Sequence, residues 1–375
     1  MTPSHLYLHV PFCARRCAYC DFAVDARRDP PVDAWLEAVT GELAGLAAAE
    51  GWSGPLELAT VYVGGGTPSL LGTGAMAALR ERLAPLARWD AAAEWTAEAN
   101  PESFTPALAR AWRGAGVNRV SLGVQTFHAP SLRWMGRLHG PEGPARAMDA
   151  ARAAGLDNVG VDLIFGLPRH LDRDWARDLE LALALAPEHV SLYGLTAEPA
   201  TPLGRWVAEG RVTMTDEDRY AEEYRLAGLR LPAAGFEHYE VSNFALPGRA
   251  SRHNAAYWSG VAYLGLGPGA HSYVAPRRWW NVRDWEAYRC RVARGEAPRE
   301  EQEEVEGRAA ELERLWLGLR TARGLPGTEL TARQHAAAAR WAGTGLSVVE
   351  DGRIRLTPAG WLLLDRIALD LHDAA

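Results

Sequence analysis

The sequence predicts an α/β fold on a parallel sheet, followed by a small winged-helix-like α+β unit. Three observations carry that expectation. Six apolar, strand-like runs alternate with helical stretches over the first 200 residues or so, and such alternation implies parallel strands joined by right-handed crossovers. Toward the end, "LSVVEDGRIRLT" (346–357) places Asp-Gly between alternating apolar residues, a hairpin signal. The length of 375 residues exceeds one ordinary domain of roughly 100–200 residues, yet suits a barrel-sized domain plus something smaller.

Taken in order, "LYLHV" (6–10) is the first strand and a helix covers 33–49. Next come "LATVYVG" (58–64), a helix near 74–87, "EWTAEA" (94–99), a helix near 105–114 and "RVSLGV" (119–124). A helix near 141–154 leads to "NVGVDLIF" (158–165), and one near 172–185 leads to "HVSLYGL" (189–195). Periodicity alone does not choose between an open sheet and a barrel, complete or partial. A helix near 215–234 and the short run "FEHYEVSNF" (236–244) follow. Residues 245–300, rich in Gly, Pro, Tyr and Trp, read as a packed, irregular covering segment. "REEQEEVEGR" (299–308) reads as a charged, solvated entry to the last unit: helices at 304–320 and 331–342, the hairpin, and a final helix. The expected division is 1–240, 241–300 and 301–375.

Composition narrows the function classes. Hydrophobic residues make up 48%, enough for a real core, and the net charge of −7 offers no global basic field for nucleic acid or acidic membrane. All 40 basic residues are arginine. The amino terminus lacks the basic flank and apolar run of a signal peptide, and no apolar stretch of about 18 residues exists to span a membrane. The expected compartment is the cytosol, where disulfides rarely persist, so clustered cysteines read as metal-binding or redox-active.

That cluster is "HVPFCARRCAYCDF" (9–22). It holds Cys13, Cys17 and Cys20 of the chain's four cysteines, in the spacing C-x3-C-x2-C. Structural zinc takes four protein ligands, with His9 the available fourth. A 4Fe-4S cluster also takes four, so three cysteines would leave one iron open to a small molecule.

Other polar features fall at the carboxyl ends of the expected strands, where parallel α/β folds bind ligands. They are "GGGTPSLL" (64–71), Glu98 in "EANPES", Gln125 in "GVQTF" followed by Arg137, Asp162 in "DLIFGLP", and Thr196 in "LYGLTAEP". Taken singly, each has a bland reading: a glycine turn, a helix cap, a solvated carboxylate, a surface arginine, a satisfied amide. Their convergence is harder to explain as packing.

Cys-x3-Cys-x2-Cys with an aromatic, Tyr19, before the last cysteine resembles the signature of radical S-adenosylmethionine (SAM) enzymes. Together, "YLHVPFC", "GGGTPS", "EANPES", "RVSLGVQTF", "DLIFGLP" and "SLYGLTAEPATPL" resemble the family of oxygen-independent coproporphyrinogen III oxidase and its relatives, over nearly the whole chain. The resemblance implies a partial (β/α)6 barrel with a small carboxy-terminal domain. It also implies a 4Fe-4S cluster on Cys13, Cys17 and Cys20, whose open iron chelates SAM and delivers the electron that cleaves it to a 5′-deoxyadenosyl radical. Tyr7, Gly65, Gly66, Thr67, Glu98, Gln125, Arg137 and Asp162 occupy the positions of SAM contacts.

Within that family, the oxidases resemble C-x3-C-x2-C-x-C, whereas here the fourth position is Phe22. "CDF" is similar to the HemW branch, described as haem chaperones. So is H-N-x-x-Y-W, here His253, Asn254, Tyr257 and Trp258. The resemblance implies haem as a further ligand and haem-accepting proteins as partners, with the respiratory membrane as a place of delivery. A histidine can ligate haem iron axially, so His253 is the candidate ligand and His271 in "GLGPGAHSY" a second; aromatics can stack on the porphyrin. Otherwise His253 and its aromatics are core. The alternatives are a radical SAM enzyme, such as an oxidase decarboxylating porphyrinogen propionates, and a structural-zinc interaction protein. The carboxy-terminal unit offers few base-reading side chains and reads as a lid or docking surface.

Overall fold

The computed structural model describes residues 2–374. Six strands form the centre: β1 (His5–Val10), β2 (Leu56–Gly65), β3 (Ala87–Ala99), β4 (Arg119–Gln125), β5 (Val159–Phe165) and β6 (His189–Gly194). Each is hydrogen-bonded in parallel register to the next. The crossovers are helical: α1 (Val32–Ala49), α2 (Ala75–Leu83), α3 (Pro106–Ala115), α4 (Ala129–Met135) with α5 (Gly143–Ala153), and α6 (Trp175–Ala184). The helix starts follow local chemistry. Thr105 accepts the Leu108 N–H ahead of α3, Asp174 accepts that of Arg177 ahead of α6, and Gly116 closes α3 in the left-handed conformation. Central strands are covered on their helical face, and Leu6, Leu8, Val61, Val63, Val120, Leu122 and Val161 are fully buried.

Two boundaries differ from expectation. Helix α2 stops at Leu83: Ala84 keeps helical angles, but Pro85 has no backbone N–H to carry the helical hydrogen bonds further. The chain re-enters the sheet at Ala87, so β3 is 13 residues long.

Beyond β6 the chain forms α7 (Pro202–Ala208), α8 (Glu217–Ala233), and a hairpin of β7 (Glu237–Glu240) and β8 (Asn243–Ala245); β8 lies antiparallel to β6. The expectation of an irregular segment over 245–300 is corrected. It holds α9 (Arg252–Trp258), β9 (Tyr263–Leu266), β10 (His271–Val274), β11 (Arg277–Asn281) and α10 (Trp285–Ala293). Strand β9 is parallel to β1, and β10, β11 and β12 (Arg299–Glu304) continue antiparallel. The full order is β12-β11-β10-β9-β1-β2-β3-β4-β5-β6-β8-β7. These strands carry no apolar alternation because their stabilisation is cross-strand: Tyr273 faces Arg278 and His271 faces Trp280. The charged run at 299–304 is the exposed edge strand itself, and charge there blocks further pairing.

The last unit follows the expected order. α11 (Gly307–Leu319) and α12 (Ala332–Gly343) precede Ser347–Glu350 and Arg353–Leu356, joined through Asp351 (φ 51°) and Gly352 (φ 68°). Both positive φ values fit a two-residue primed turn. A helix over Leu364–Asp373 closes the unit. Among the described residues, no helix is long and apolar enough to cross a membrane.

Candidate functional site

The central sheet curls, so that residues from six successive strands face one cavity of about 960 Å³. Tyr7 of β1, Gly65 of β2, Glu98 of β3, Gln125 of β4, Asp162 of β5 and Tyr193 of β6 line it. Its far side is formed by the end of α9, the β9–β11 ribbon and α11, through Trp258, Tyr263, Tyr273, Arg278 and Trp316. All eight residues marked as SAM positions line this cavity, and so do the three clustered cysteines.

The cysteine loop leaves β1 directly. Cys13 belongs to a two-residue pairing with Asp25–Ala26, and the loop is pinned through Ala18 N–H to Met135 O (3.1 Å) and Leu203 N–H to Ala18 O (2.9 Å). Two neighbours donate to the sulfurs. Thr67 Oγ1 lies 3.4 Å from Cys13 Sγ, and Arg137 Nη1 lies 3.8 Å from Cys17 Sγ. Burial pushes the Cys13 thiol up to about 11 and raises Cys20 as well. A cationic cluster core would reverse that preference, because metal-bound thiols are deprotonated. Among the described residues, no three His, Cys, Asp or Glu side chains, the cysteines included, are drawn together as a ready-made site for a metal ion. Cys290 is exposed on α10 and is absent from the cavity wall. His9 is already engaged: its Nε2 donates to Ala23 O (2.8 Å), so Nδ1 accepts from the Tyr7 hydroxyl (2.9 Å). Burial lowers His9 to about 4, which keeps this neutral tautomer. Among the described residues the donor set is three thiols with no fourth protein ligand beside them, which fits a cluster with one open iron better than a closed zinc shell.

The wall of the strand ends is prearranged. Glu98 accepts from the Tyr62 hydroxyl (2.7 Å) and from Gly65 N–H (2.9 Å), and burial raises it to about 7. Asp162 accepts from Ser121 Oγ at 3.0 and 3.2 Å, and burial raises its pKa too. Arg137 Nη2 donates to Asn100 Oδ1 and Gly123 O, both at 2.6 Å, while its buried Nε has no partner among the described residues. Gln125 sits at a bulge between β4 and β5 with φ 69°. A non-glycine residue costs free energy there, and such strain clusters at ligand sites. Gly65 (φ 103°) and Gly66 are required by the protein's own backbone: a Cβ on Gly65 would overlap the His9 ring, and one on Gly66 would lie 2.6 Å from Phe12 O.

Sequence reasoning missed Asn100 as a separate residue. It joins Thr67 (Nδ2 to Oγ1, 3.2 Å) to Arg137, and so links two residues that touch the sulfurs. Its signal was the asparagine inside "EANPES". Ser121 and Tyr193 were missed because a serine or tyrosine within a strand looks like ordinary packing.

His253 is not brought to the cavity. It is 1% exposed, with Nδ1 2.7 Å from Thr60 Oγ1 and Nε2 2.9 Å from the Tyr257 hydroxyl. Its position follows from the start of α9, where Ser251 caps Asn254 N–H and Glu94 accepts the N–H groups of Arg252 and His253. Burial lowers it to about 3. The other half of the motif does reach the site: Tyr257 and Trp258 line the cavity. So does Phe22, which stands 61% exposed at its rim.

Comparison with known proteins agrees with this geometry. Residues 7–182 match the radical SAM superfamily. The chain is 40% identical over 372 residues to a Mycobacterium tuberculosis protein named heme chaperone HemW, covering 98% of this chain and 95% of that one. It is 39% identical over 280 residues to the Escherichia coli protein of that name, covering 73% and 71%. Among solved structures, coproporphyrinogen III oxidase (HemN) from Escherichia coli, described as a radical SAM enzyme, superposes with a TM-score of 0.81 at 22% identity, covering 99% of this chain and 90% of that one. That likeness shows the fold.

Proposed function

The chain belongs to the radical SAM superfamily and, within it, to the HemW family, and from that premise we propose that it binds haem and hands it to haem-requiring proteins. The structural observation that carries this reading is the rim of the cavity. Phe22, Tyr257, Trp258, Tyr263 and Tyr273 border the same chamber as the thiols. Such an aromatic mouth suits a flat, largely apolar cargo. At Phe22 an exposed ring stands where the oxidase pattern has a fourth thiol.

In this reading Cys13, Cys17 and Cys20 hold a 4Fe-4S cluster. Tyr7, Gly65, Gly66, Thr67, Glu98, Gln125, Arg137 and Asp162 hold SAM. When bound, that pair supplies one-electron chemistry. The chain's own residues orient and insulate: Thr67 and Arg137 donate toward sulfur, Asn100 fixes both, and Glu98 and Asp162 present buried carboxylates to an amine or to ribose hydroxyls. His253 acts by holding Tyr257 in place. Delivery takes place from the cytosol, at the respiratory membrane, by docking on the accepting protein.

The test is a haem titration of the anaerobically reconstituted protein, followed by mixing with an apo-haemoprotein. Stoichiometric binding and transfer are expected, with no consumption of coproporphyrinogen III when SAM and reductant are added. Turnover of coproporphyrinogen without haem transfer would replace the chaperone reading with the oxidase one.

A further inference from the structure

We propose that His271, not His253, is the side chain that ligates the iron of the bound haem. The assignment rests on the cargo reading above and names the ligand within it. Two histidines line the cavity, His9 and His271. His9 has both ring nitrogens engaged. His271 is exposed on β10, and neither of its ring nitrogens has a hydrogen-bond partner among the described residues. An iron ligand needs a neutral imidazole with a free nitrogen at a surface the porphyrin can reach. His271 meets all three conditions, whereas His253 would have to break a hydrogen bond and leave the core.

The surroundings of His271 fit the rest of a porphyrin. Its ring stacks on Trp280 of β11, with centroids 5.5 Å apart and planes inclined by 23°, so its orientation is set before any ligand arrives. Two residues along the same strand, and therefore on the same face, comes Tyr273. Tyr273 pairs across the ribbon with Tyr263 on one side and Arg278 on the other, and the Arg278 guanidinium lies 5.5 Å from the centre of the Tyr273 ring. All three line the cavity, as does Arg283, which is bonded to Asp21 of the cysteine loop. One face of the β9–β11 ribbon, with Arg283 just beyond β11, thus offers an imidazole, aromatic rings and arginines. A flat iron macrocycle with two carboxylates uses each of these: iron to imidazole, ring to ring, carboxylate to guanidinium. Both arginines are already paired, Arg278 with Glu303 and Glu313 and Arg283 with Asp21, so a propionate would exchange for one of these partners.

The experiment compares ferric haem with metal-free protoporphyrin IX, titrated into the reconstituted protein, its His271→Ala variant and its His253→Gln variant, read by absorbance and ferric EPR. For His271→Ala, haem affinity falls roughly tenfold or more and the imidazole signature disappears, while affinity for the metal-free ring stays within about twofold. His253→Gln keeps the wild-type signature. His271→Met, which supplies a thioether instead, binds haem with a shifted spectrum. Equal loss of both porphyrins in His271→Ala, or no loss of either, overturns the assignment. So does disappearance of the imidazole signature in His253→Gln alone. If the wild type binds neither porphyrin, the cargo reading itself falls and takes the assignment with it. If it binds both without an imidazole signature, the cargo reading stands and the assignment falls.

Discussion

At the thiol end of the cavity nearly every polar group is already bonded to the protein, whereas at the mouth the side chains stand open. Glu98 is bonded to Tyr62 and Asp162 to Ser121, and Asn100 joins Arg137 to Thr67. Phe22 and His271 touch solvent, and the mouth sets rings beside a few paired charges, Arg278 with Glu303 and Glu313 and Arg283 with Asp21. A prearranged polar wall favours one ligand in one pose, at little cost on binding. An open aromatic rim accepts a large flat ligand and releases it again, as a carrier must. Two sites with different tasks thus share one chamber.

The largest expected effect comes from the rigid end. Cys17→Ser, reconstituted anaerobically, should carry iron and sulfide near background; retention of the wild-type content would break the cluster assignment. Trp35→Ala asks how far rigidity depends on the core beneath. Trp35 is fully buried and donates to His9 O at 3.0 Å, so the variant should lose about 3–5 kcal/mol in denaturant unfolding. Gly65→Ala strikes the wall itself. With φ at 103° and the His9 ring in the way, a loss of roughly 1–3 kcal/mol is expected, together with weaker SAM binding by calorimetry.

A smaller effect is a matter of pH. Glu98 is raised by burial from 4.5 to about 7, so the native state holds this proton more tightly than the unfolded chain. Stability must therefore fall as pH rises from about 4.5 to about 7, and the change ends above that window. Glu98→Gln has no such proton to lose. Thermal midpoints of the cofactor-free wild type should drop relative to Glu98→Gln across that range, and parallel profiles would contradict the assigned burial. The smallest effect belongs to the mouth. Phe22→Cys, at an exposed position, should change stability by less than about 0.5 kcal/mol and should not confer decarboxylation of coproporphyrinogen; gain of that activity would make this one residue the divide between the two branches.

The same contrast explains what could be read in advance. The parallel core was legible because each strand is a short apolar run between helical patterns, and β1 to β6 lie where those runs do. The wall residues were legible because a parallel sheet delivers its strand ends to one place, so Glu98, Gln125 and Asp162 could be grouped without coordinates. The ribbon β9–β11 was not legible. Its strands are four or five residues long and are stabilised by pairs such as Tyr273 with Arg278, which leave no periodic trace along the chain. The surroundings of His253 were not legible for a related reason: a motif histidine next to aromatics resembles a ligand, and its hydrogen bonds to Thr60 and Tyr257 leave no mark in the sequence.

Strand β1 bonds to β2 on one side and β9 on the other, and its own end runs into the cysteine loop. The thiols and the ribbon bearing His271 therefore hang from a single strand. Linkage makes any communication along it reciprocal: if occupancy of the SAM site changes haem affinity by some factor, haem must change SAM affinity by the same factor. The two titrations, each run with the other ligand present and absent, form a closed cycle whose opposite edges must agree, and loading could then act as the signal for release.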